Sequence, residues 1–134
     1  MKYQECLDFL YLQLPSYQRS GRRAFKENLD NTVALLDVLD HQEYKIKCVH
    51  IAGTNGKGTS AHAIAAVLQA SDYKVGLYTY PHLKSFRKRI KINGHQIDQN
   101  SIIDFVKKHK DIIKVISPSF FEMTVAMAFD YFAT

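Results

Sequence analysis

A glycine-rich turn between a strand-like segment and a helix-like segment constrains this chain more than any other feature. Residues 46–52 alternate in a way that suits a strand, and the residues from Lys57 to about Ala70 suit a helix. Glycines in such a turn let backbone N–H groups converge on a phosphate, and the start of the helix adds its positive dipole end. The order of strand, glycine turn, lysine, hydroxyl and helix therefore predicts a phosphate-binding loop. We call residues 53–59 the glycine loop, which consists of Gly53, Thr54, Asn55, Gly56, Lys57, Gly58 and Thr59.

The spacing of the glycine loop departs from the general P-loop pattern. That pattern has four residues between its first glycine and a Gly-Lys pair, with Ser or Thr directly after the lysine. Here two residues precede Gly56-Lys57, and Gly58 separates the lysine from Thr59. The chemistry survives this change, because Lys57 supplies a full charge and Thr59 or Ser60 can offer a hydroxyl to a phosphate-bound magnesium. An ordinary glycine-rich turn remains the alternative.

Length and charge favour one modest domain with an anionic small-molecule ligand. The chain has 134 residues and a net charge of +5, and its basic residues form no long run. Acidic small molecules explain this charge better than nucleic acid does, because a phosphate loop is already present and the basic residues are not interleaved with aromatic ones. Solvated surface charge is the plain alternative. The sequence has no stretch apolar enough to span a membrane and no signal-peptide block, so we expect a cytoplasmic protein with neither a membrane nor a nucleic-acid partner.

The cysteines and histidines give no sign of a metal site of their own. Cys48 falls in the predicted strand and Cys6 in a predicted helix, so two buried thiols in a reducing compartment are the simplest expectation. The histidines show no clustering of the kind that binds zinc, and we predict no zinc site.

The N-terminal part is predicted to be helical around one long loop. An apolar opening helix should end before Pro15, and the polar and basic residues 16–28 suit a functional loop. Asp30 or Asn28 could cap a second helix. That helix should turn one apolar face inward, formed by Val33, Leu36 and Leu39.

The central part is predicted to be a sheet. Residues 75–80 should form a second strand, parallel to residues 46–52 through a right-handed crossover. Asn93-Gly94, which lies between the alternating residues 89–92 and 95–97, predicts a β-hairpin.

The C-terminal part is predicted to be helical and strongly apolar. Residues 102–115 indicate one or two helical segments, and Pro118 ends them. Residues 119–134 indicate a final helix that is apolar nearly all round, which requires burial on every side. With only two convincing parallel strands before it, the chain looks like the front half of an α/β nucleotide-binding domain. Self-association through the apolar final helix is an open alternative.

Five blocks of the sequence carry a resemblance to one known family. They are Leu14-Pro15, residues 29–31, residues 50–59, residues 73–79 with Pro81-His82-Leu83, and residues 117–124. In the same order, they resemble blocks of the folylpolyglutamate and dihydrofolate synthases of the Mur ligase superfamily, whose nucleotide loop is short in the same way. The resemblance covers nearly the whole chain.

The resemblance implies a fold. The fold class would be α/β, a P-loop NTPase-like three-layer domain of the Mur ligase central-domain type, truncated, with N-terminal helices and a β-hairpin insertion. Residues 1–45 would form a helical lead-in on the substrate side, and residues 46–134 would form the P-loop portion. The C-terminal domain of the family would be absent.

The resemblance also implies a reaction. ATP and Mg²⁺ would be the cofactors for joining L-glutamate to a folate or dihydropteroate carboxylate through an acyl phosphate, as part of a longer enzyme. This chain alone is expected to be inactive. Another P-loop phosphotransferase for small molecules and a non-catalytic binding or interaction fragment remain alternatives.

The resemblance assigns roles to residues of the nucleotide side. The glycine loop would cradle the triphosphate, with Lys57 as the catalytic cation. Glu122 and Thr59 would bind Mg²⁺. Tyr80 occupies the position at which the family usually has a serine ligand to magnesium, and a phenol on a large ring is a poor substitute for a short hydroxyl. For Glu122 the alternative is a capping box with Ser119 at the start of the last helix.

The resemblance places five residues on the folate side. A flat pterin ring favours aromatic neighbours, and a glutamate tail favours cations. Structural packing or surface charge is an equal alternative for each of these residues, which are Lys26, Pro81, His82, Phe86 and Arg89.

Overall fold

Five α-helices and one three-stranded sheet are formed by residues 1–13, 29–80 and 85–134, which are the residues described in a computed structural model of the chain. The chain divides into two units. The first contains Met1–Lys45 and Asp98–Thr134, and the second contains Ile46–Ile97. None of the helices in the described residues is both long enough and apolar enough to cross a bilayer.

The first unit begins with helix α1, Tyr3–Asp8, which continues as a π-helix over Phe9–Gln13. This confirms the predicted opening helix. The side chains of Cys6, Phe9 and Leu10 are buried. Pro15 and residues 16–28, including the predicted loop, lie outside the described residues.

Helix α2 spans Asp30–Val38 and confirms the second predicted helix. The prediction that Asp30 caps this helix is wrong, because Asp30 is the first residue of the helix itself. The N-cap is Leu29, whose side chain makes no capping hydrogen bond. Asn28 lies outside the described residues. Val33 is also placed wrongly by the prediction, since its side chain is 53% exposed. The face that turns inward is shifted around the helix and consists of Leu35, Leu36 and Leu39.

A 3₁₀ turn over Gln42–Lys45 follows α2, and the chain returns to this unit with helix α4, Gln99–Ile116. The sequence allowed one or two helical segments here, and the structure has one. Asp98 caps it, because its Oδ1 accepts a hydrogen bond from the backbone N–H of Ser101 at 2.7 Å. A buried stripe at helical spacing explains its length and consists of Ile102, Phe105, Val106, His109 and Ile113.

Helix α5, Phe120–Phe132, packs against α2, α4 and the 3₁₀ turn of Gln42–Lys45. These contacts bury much of the helix, but not every side of it as the sequence predicted. Met123, Ala126 and Met127 are fully or almost fully buried, whereas Phe121 is 46% exposed. The apolar residues of α5 therefore contribute mainly to the core of their own unit.

The second unit contains helix α3, Lys57–Ala70, and an antiparallel sheet. The strands are β1 (Gly76–Tyr78), β2 (Ile90–Ile92) and β3 (His95–Gln96), in the order β1-β2-β3. A 3₁₀ turn over Phe86–Arg89 leads into β2. The helix over the predicted range is confirmed, and it packs against β1.

The hairpin predicted from Asn93-Gly94 is confirmed. Ile92 pairs with His95 across the turn, and the two turn residues have φ of 49° and 81°, as a type I′ turn requires. Asn93 also ties the hairpin to the start of β1. The backbone N–H of Val75 donates to Asn93 Oδ1 at 2.9 Å, and the N–H of Asn93 donates to the Val75 carbonyl at 2.9 Å.

The first predicted strand is wrong. Residues 46–52 form no strand, and β1 pairs antiparallel with β2 instead of parallel with that segment. An alternating apolar pattern shows that a segment could lie in a sheet, but a strand also requires a partner for its backbone groups. Val49 is consequently 67% exposed. Cys48, which the strand would have buried, is exposed, whereas Cys6 is buried as predicted.

Candidate functional site

The glycine loop continues into the first turn of α3, and Gly56 is the residue at which the helix begins. It is the N-cap of the helix and has φ of 74° and ψ of 4°, in the left-handed region where a residue with a Cβ is strained. Its carbonyl accepts the N–H of Ser60 at 2.9 Å, which starts the helical ladder. A glycine cap has no side chain to occupy the N–H groups of the first turn, so those groups remain available to an anion.

The charges at this helix start are favourable for an anion. The first turn of α3 contains no acidic residue, and Lys57 is its first residue. Lys57 and Thr59 are both exposed, as is Asn55 within the loop. The positive end of the helix, a lysine ammonium and a threonine hydroxyl thus lie within one turn, where they can bind an oxyanion such as a phosphate.

His62 is a polar residue of this region that the sequence analysis did not assign. Its Nδ1 donates to the Gly58 carbonyl at 2.7 Å, since a carbonyl can only accept. This bond fixes the proton of a neutral imidazole on Nδ1. The sequence signal was the spacing of four residues between Gly58 and His62 on one helix face, which brings a side chain back over the preceding turn.

Tyr80 and Arg89 form a second group in the same unit. The N–H of Thr79 donates to the Arg89 carbonyl at 3.0 Å, which continues the pairing of β1 with β2. The Arg89 guanidinium lies over the Tyr80 ring, 5.3 Å from its centroid. Burial raises the pKa of the Tyr80 phenol, and the positive charge of Arg89 partly opposes that shift.

The two described residues of the predicted folate side are buried. Phe86 lies in the 3₁₀ turn and is 2% exposed, and Arg89 is 1% exposed. Their burial fits the alternative of structural packing, and a place on the folate side stays a prediction. Lys26, Pro81 and His82 lie outside the described residues.

Glu122 is buried at the start of α5 and forms the capping box that was the alternative to metal binding. The Ser119 N–H donates to Glu122 Oε1 at 2.8 Å, and the Glu122 N–H donates to Ser119 Oγ at 3.1 Å. Its role as a magnesium ligand stays a prediction. Glu122 belongs to the first unit and the glycine loop to the second. The described residues hold no group of three or more His, Cys, Asp or Glu side chains that could bind a metal ion.

The residues that the resemblance assigned to Mg²⁺ fit the ion only in part. Thr59 presents an exposed hydroxyl in the first turn of α3, and Glu122 carries a carboxylate, so both have the oxygen donors that Mg²⁺ accepts. Tyr80 does not fit, because one face of its ring already lies against a guanidinium cation.

No model of a protein family matches this chain. Individual proteins do match it. The dihydrofolate synthase/folylpolyglutamate synthase of Bacillus subtilis (strain 168) is 36% identical over 121 residues, which cover 84% of this chain and 28% of that protein. The crystal structure of folylpolyglutamate synthase from Thermotoga maritima is 35% identical, with a TM-score of 0.82 over 98% of this chain and 30% of that one. This chain is a homologue of part of the folylpolyglutamate and dihydrofolate synthases.

A third match is a structure of folylpolyglutamate synthase in complex with AMPPCP and folate. It is 30% identical to this chain and has a TM-score of 0.82 over 98% of this chain and 32% of that one. The chain thus spans between 28% and 32% of the length of these three relatives of the folylpolyglutamate synthase family.

Proposed function

We propose that this chain forms the phosphate-binding part of an ATP-dependent ligase that joins L-glutamate to the carboxylate of a folate or of dihydropteroate. The glycine-capped, exposed start of α3 with Lys57 as its first residue carries this proposal. A relative of the chain forms a complex with folate and with AMPPCP, an analogue of ATP, which supports both ligands. The fold proposed for the chain is the front part of a P-loop, three-layer domain of the Mur ligase type.

The proposed reaction has two steps. A carboxylate oxygen of the folate attacks the γ-phosphorus of ATP, the bond to the β–γ bridging oxygen breaks, and ADP leaves with the electron pair. The amino nitrogen of glutamate then attacks the acyl carbon, the carbon–oxygen bond to phosphate breaks, and an amide forms while the nitrogen loses its proton to solvent. Phosphorylation is needed because a free carboxylate oxygen is a poor leaving group.

The glycine loop contributes binding and charge to the first step. The N–H groups at the start of α3 hold phosphate oxygens, and the Lys57 ammonium stabilises negative charge on the transferring phosphoryl group. Held phosphates fix the direction from which the carboxylate must approach. A bound Mg²⁺ would supply further neutralisation of the phosphate charge, with the Thr59 hydroxyl as one of its oxygen ligands.

We propose further that this chain alone does not turn over. It spans less than a third of the length of the relatives that it matches, so residues outside it would complete the site. A coupled ADP-release assay with dihydropteroate or tetrahydrofolate plus glutamate tests this proposal. Turnover that Lys57→Ala abolishes would contradict it.

The nucleotide site itself is tested by calorimetric titration of ATP into the chain. Lys57→Ala should weaken ATP binding roughly 10- to 100-fold, because a hydrogen bond to a charged group contributes about 1.5–3 kcal/mol. Lys47→Ala is the matched control, since Lys47 is an exposed lysine of the same unit outside the glycine loop, and it should bind ATP within about twofold of the wild type. Equal weakening by both substitutions, or no binding by the wild type, would contradict the site.

Self-association through the final helix stays a prediction. Most of α5 is buried within its own unit, so an interface there would depend on Phe121 and its half-buried neighbours. Sedimentation of the wild type and of Phe121→Ser distinguishes a dimer through this face from a monomer. A cytoplasmic location likewise stays a prediction.

A further inference from the structure

We propose that the Tyr80 ring binds the Arg89 guanidinium and that Tyr80 does not bind a metal ion. Tyr80 is then a positioning residue, which holds the Arg89 side chain in place. This inference rests on the proposed function only where it concerns nucleotide binding. Its structural part depends on the contacts within the second unit alone.

The backbone brings the two residues together. In the antiparallel pairing of β1 with β2, Tyr78 lies opposite Ile90. One step further along both strands, the Thr79 N–H donates to the Arg89 carbonyl at 3.0 Å. Tyr80 follows Thr79 directly, beyond the end of β1, and Arg89 is the last residue of the 3₁₀ turn before β2. The two residues therefore lie close together where the regular ladder ends, and the long Arg89 side chain reaches the Tyr80 ring.

The burial of Arg89 makes its contact with the Tyr80 ring important for stability. Arg89 is 1% exposed, and a guanidinium removed from water is costly unless other groups compensate its charge. The negative face of an aromatic ring is such a group, and the distance of 5.3 Å between the guanidinium and the ring centroid is within the range of a cation–π contact. A tyrosine at position 80 supplies this face, whereas a serine would not.

The same geometry argues against a metal ion at residue 80. A second cation close to a buried guanidinium is repelled more strongly than it would be in water, because the local dielectric is low. Magnesium also requires oxygen ligands at about 2.0–2.1 Å in octahedral arrangement and favours carboxylates and phosphates over other donors. The phenol at residue 80 therefore does not contribute to metal-dependent binding of a nucleotide.

Tyr80→Phe is the decisive variant, because it keeps the ring against Arg89 and removes the oxygen that a metal would need. The first measurement compares ATP affinity in EDTA with ATP affinity in magnesium. We expect the ratio of the two dissociation constants for Tyr80→Phe to stay within about twofold of the wild-type ratio. A change of about tenfold or more, with Tyr73→Phe unchanged, would overturn the proposal.

A second measurement is independent of nucleotide. Mn²⁺ is added to the wild-type chain without ATP, and the broadening of tyrosine ring resonances is followed by NMR. Tyr80 should broaden no more than Tyr73, which is 62% exposed and serves as the control. Selective broadening of Tyr80 would show a metal site there and would contradict the proposal. This outcome does not depend on whether the wild type binds ATP.

A third measurement tests the positioning role. Tyr80→Ser removes the ring from Arg89 and should lower the midpoint of thermal unfolding by several degrees, whereas Tyr80→Phe and Tyr73→Ser should leave it nearly unchanged. Equal midpoints for Tyr80→Ser and Tyr73→Ser would show that the ring does not hold Arg89. If Lys57→Ala and the wild type both fail to bind ATP, the proposed function is wrong, and the second and third measurements still decide this inference.

Discussion

One carboxylate oxygen of Glu122 accepts a hydrogen bond from the backbone N–H of Ser119, at the start of α5. With Ser119 it satisfies two N–H groups that have no partner within the helix, and both residues are buried, so water cannot easily replace either bond. A local role of this kind does not exclude a ligand role, because a carboxylate has several lone pairs. It does set a stability cost for any substitution at these two positions.

Ser119→Ala should lower the free energy of unfolding by about 1 kcal/mol, because the N–H of Glu122 loses its acceptor. Glu122→Gln should cost less, since an amide oxygen can still accept from Ser119. Ser85→Ala is the control, because Ser85 stands at an N-cap but makes no side-chain capping bond. Urea unfolding of the three variants measures the differences. A loss for Ser85→Ala as large as that for Ser119→Ala would contradict the role of the capping box.

His109 should make the first unit less stable in acid. It is buried beside Phe105, and this burial lowers its pKa below the usual 6.5, with Asp130 partly opposing the shift. The unfolded chain therefore binds a proton more readily than the folded chain. The contribution of neutral His109 is complete above pH 6.5 and is lost as the pH falls toward the folded pKa. His109→Gln should flatten this loss in urea titrations between about pH 5 and pH 7.

His41 should act with the opposite sign. Its Nδ1 lies 3.0 Å from Glu43 Oε2 and its Nε2 lies 3.2 Å from Asp37 Oδ1, and Glu43 above all raises the pKa of the imidazole. The stability that protonated His41 adds is complete below pH 6.5 and is lost as the pH rises through the folded pKa. His41→Gln should remove that alkaline decline and leave the acid side unchanged. A pH profile identical to that of the wild type would disprove the effect.

At the scale of elements, the turn Asn93-Gly94 and the start of α3 depend on glycine in different ways. Gly94 has φ of 81° and an added Cβ would meet nothing within 4 Å, so a substitution there changes backbone strain alone. Gly58 lies inside α3, and a Cβ there would also meet nothing. Because an added Cβ meets no atom at either position, a substitution to alanine there changes the stability only through the backbone conformation.

Gly94→Ala should destabilise the second unit by about 1–2 kcal/mol, because alanine is strained in the left-handed conformation. Gly58→Ala should stabilise α3 by about 0.5–1 kcal/mol, because alanine loses less conformational freedom in a helix. Urea unfolding followed by circular dichroism gives both values, and two changes of the same sign would refute the explanation.

The elements that the sequence predicted correctly are those that local bonding determines. Asn93-Gly94 specifies its own turn, and the stripe from Ile102 to Ile113 specifies one face of α4. Residues 46–52 could not be placed in the same way, because a strand forms only where another strand accepts its hydrogen bonds. The inward face of α2 was shifted for a similar reason, since packing with α4 and α5 decides which leucines are buried.

At the scale of the whole molecule, the residues predicted for the site belong to both units. Gly56, Lys57 and Thr59 are neighbours in sequence, so their arrangement at the start of α3 could be predicted from the chain alone. Glu122 lies in the other unit, so its predicted role could not be decided from a local sequence pattern. The contact of Tyr80 with Arg89 could not be predicted either, because it forms beyond the end of the ladder that joins β1 and β2.

Hydrogen exchange should locate ATP on the molecule. The amides of the glycine loop and of the first turn of α3 should exchange more slowly when ATP is present, because phosphate oxygens accept from them. The amides of α4 provide the internal control and should exchange at the same rate with and without ATP. Lys57→Ala should weaken the protection in proportion to its loss of affinity. Protection spread evenly over α4 and the glycine loop would contradict a localised site.

The two cysteines differ in exposure, because residues 46–52 form no strand that would bury Cys48. Cys6 is fully buried, and burial raises the pKa of its thiol, whereas Cys48 is exposed five residues before Gly53. A maleimide fluorophore should therefore attach to Cys48 alone in the folded protein, without any mutagenesis. The label would stand close to the place where a triphosphate is expected to arrive, so its emission could report nucleotide binding in real time.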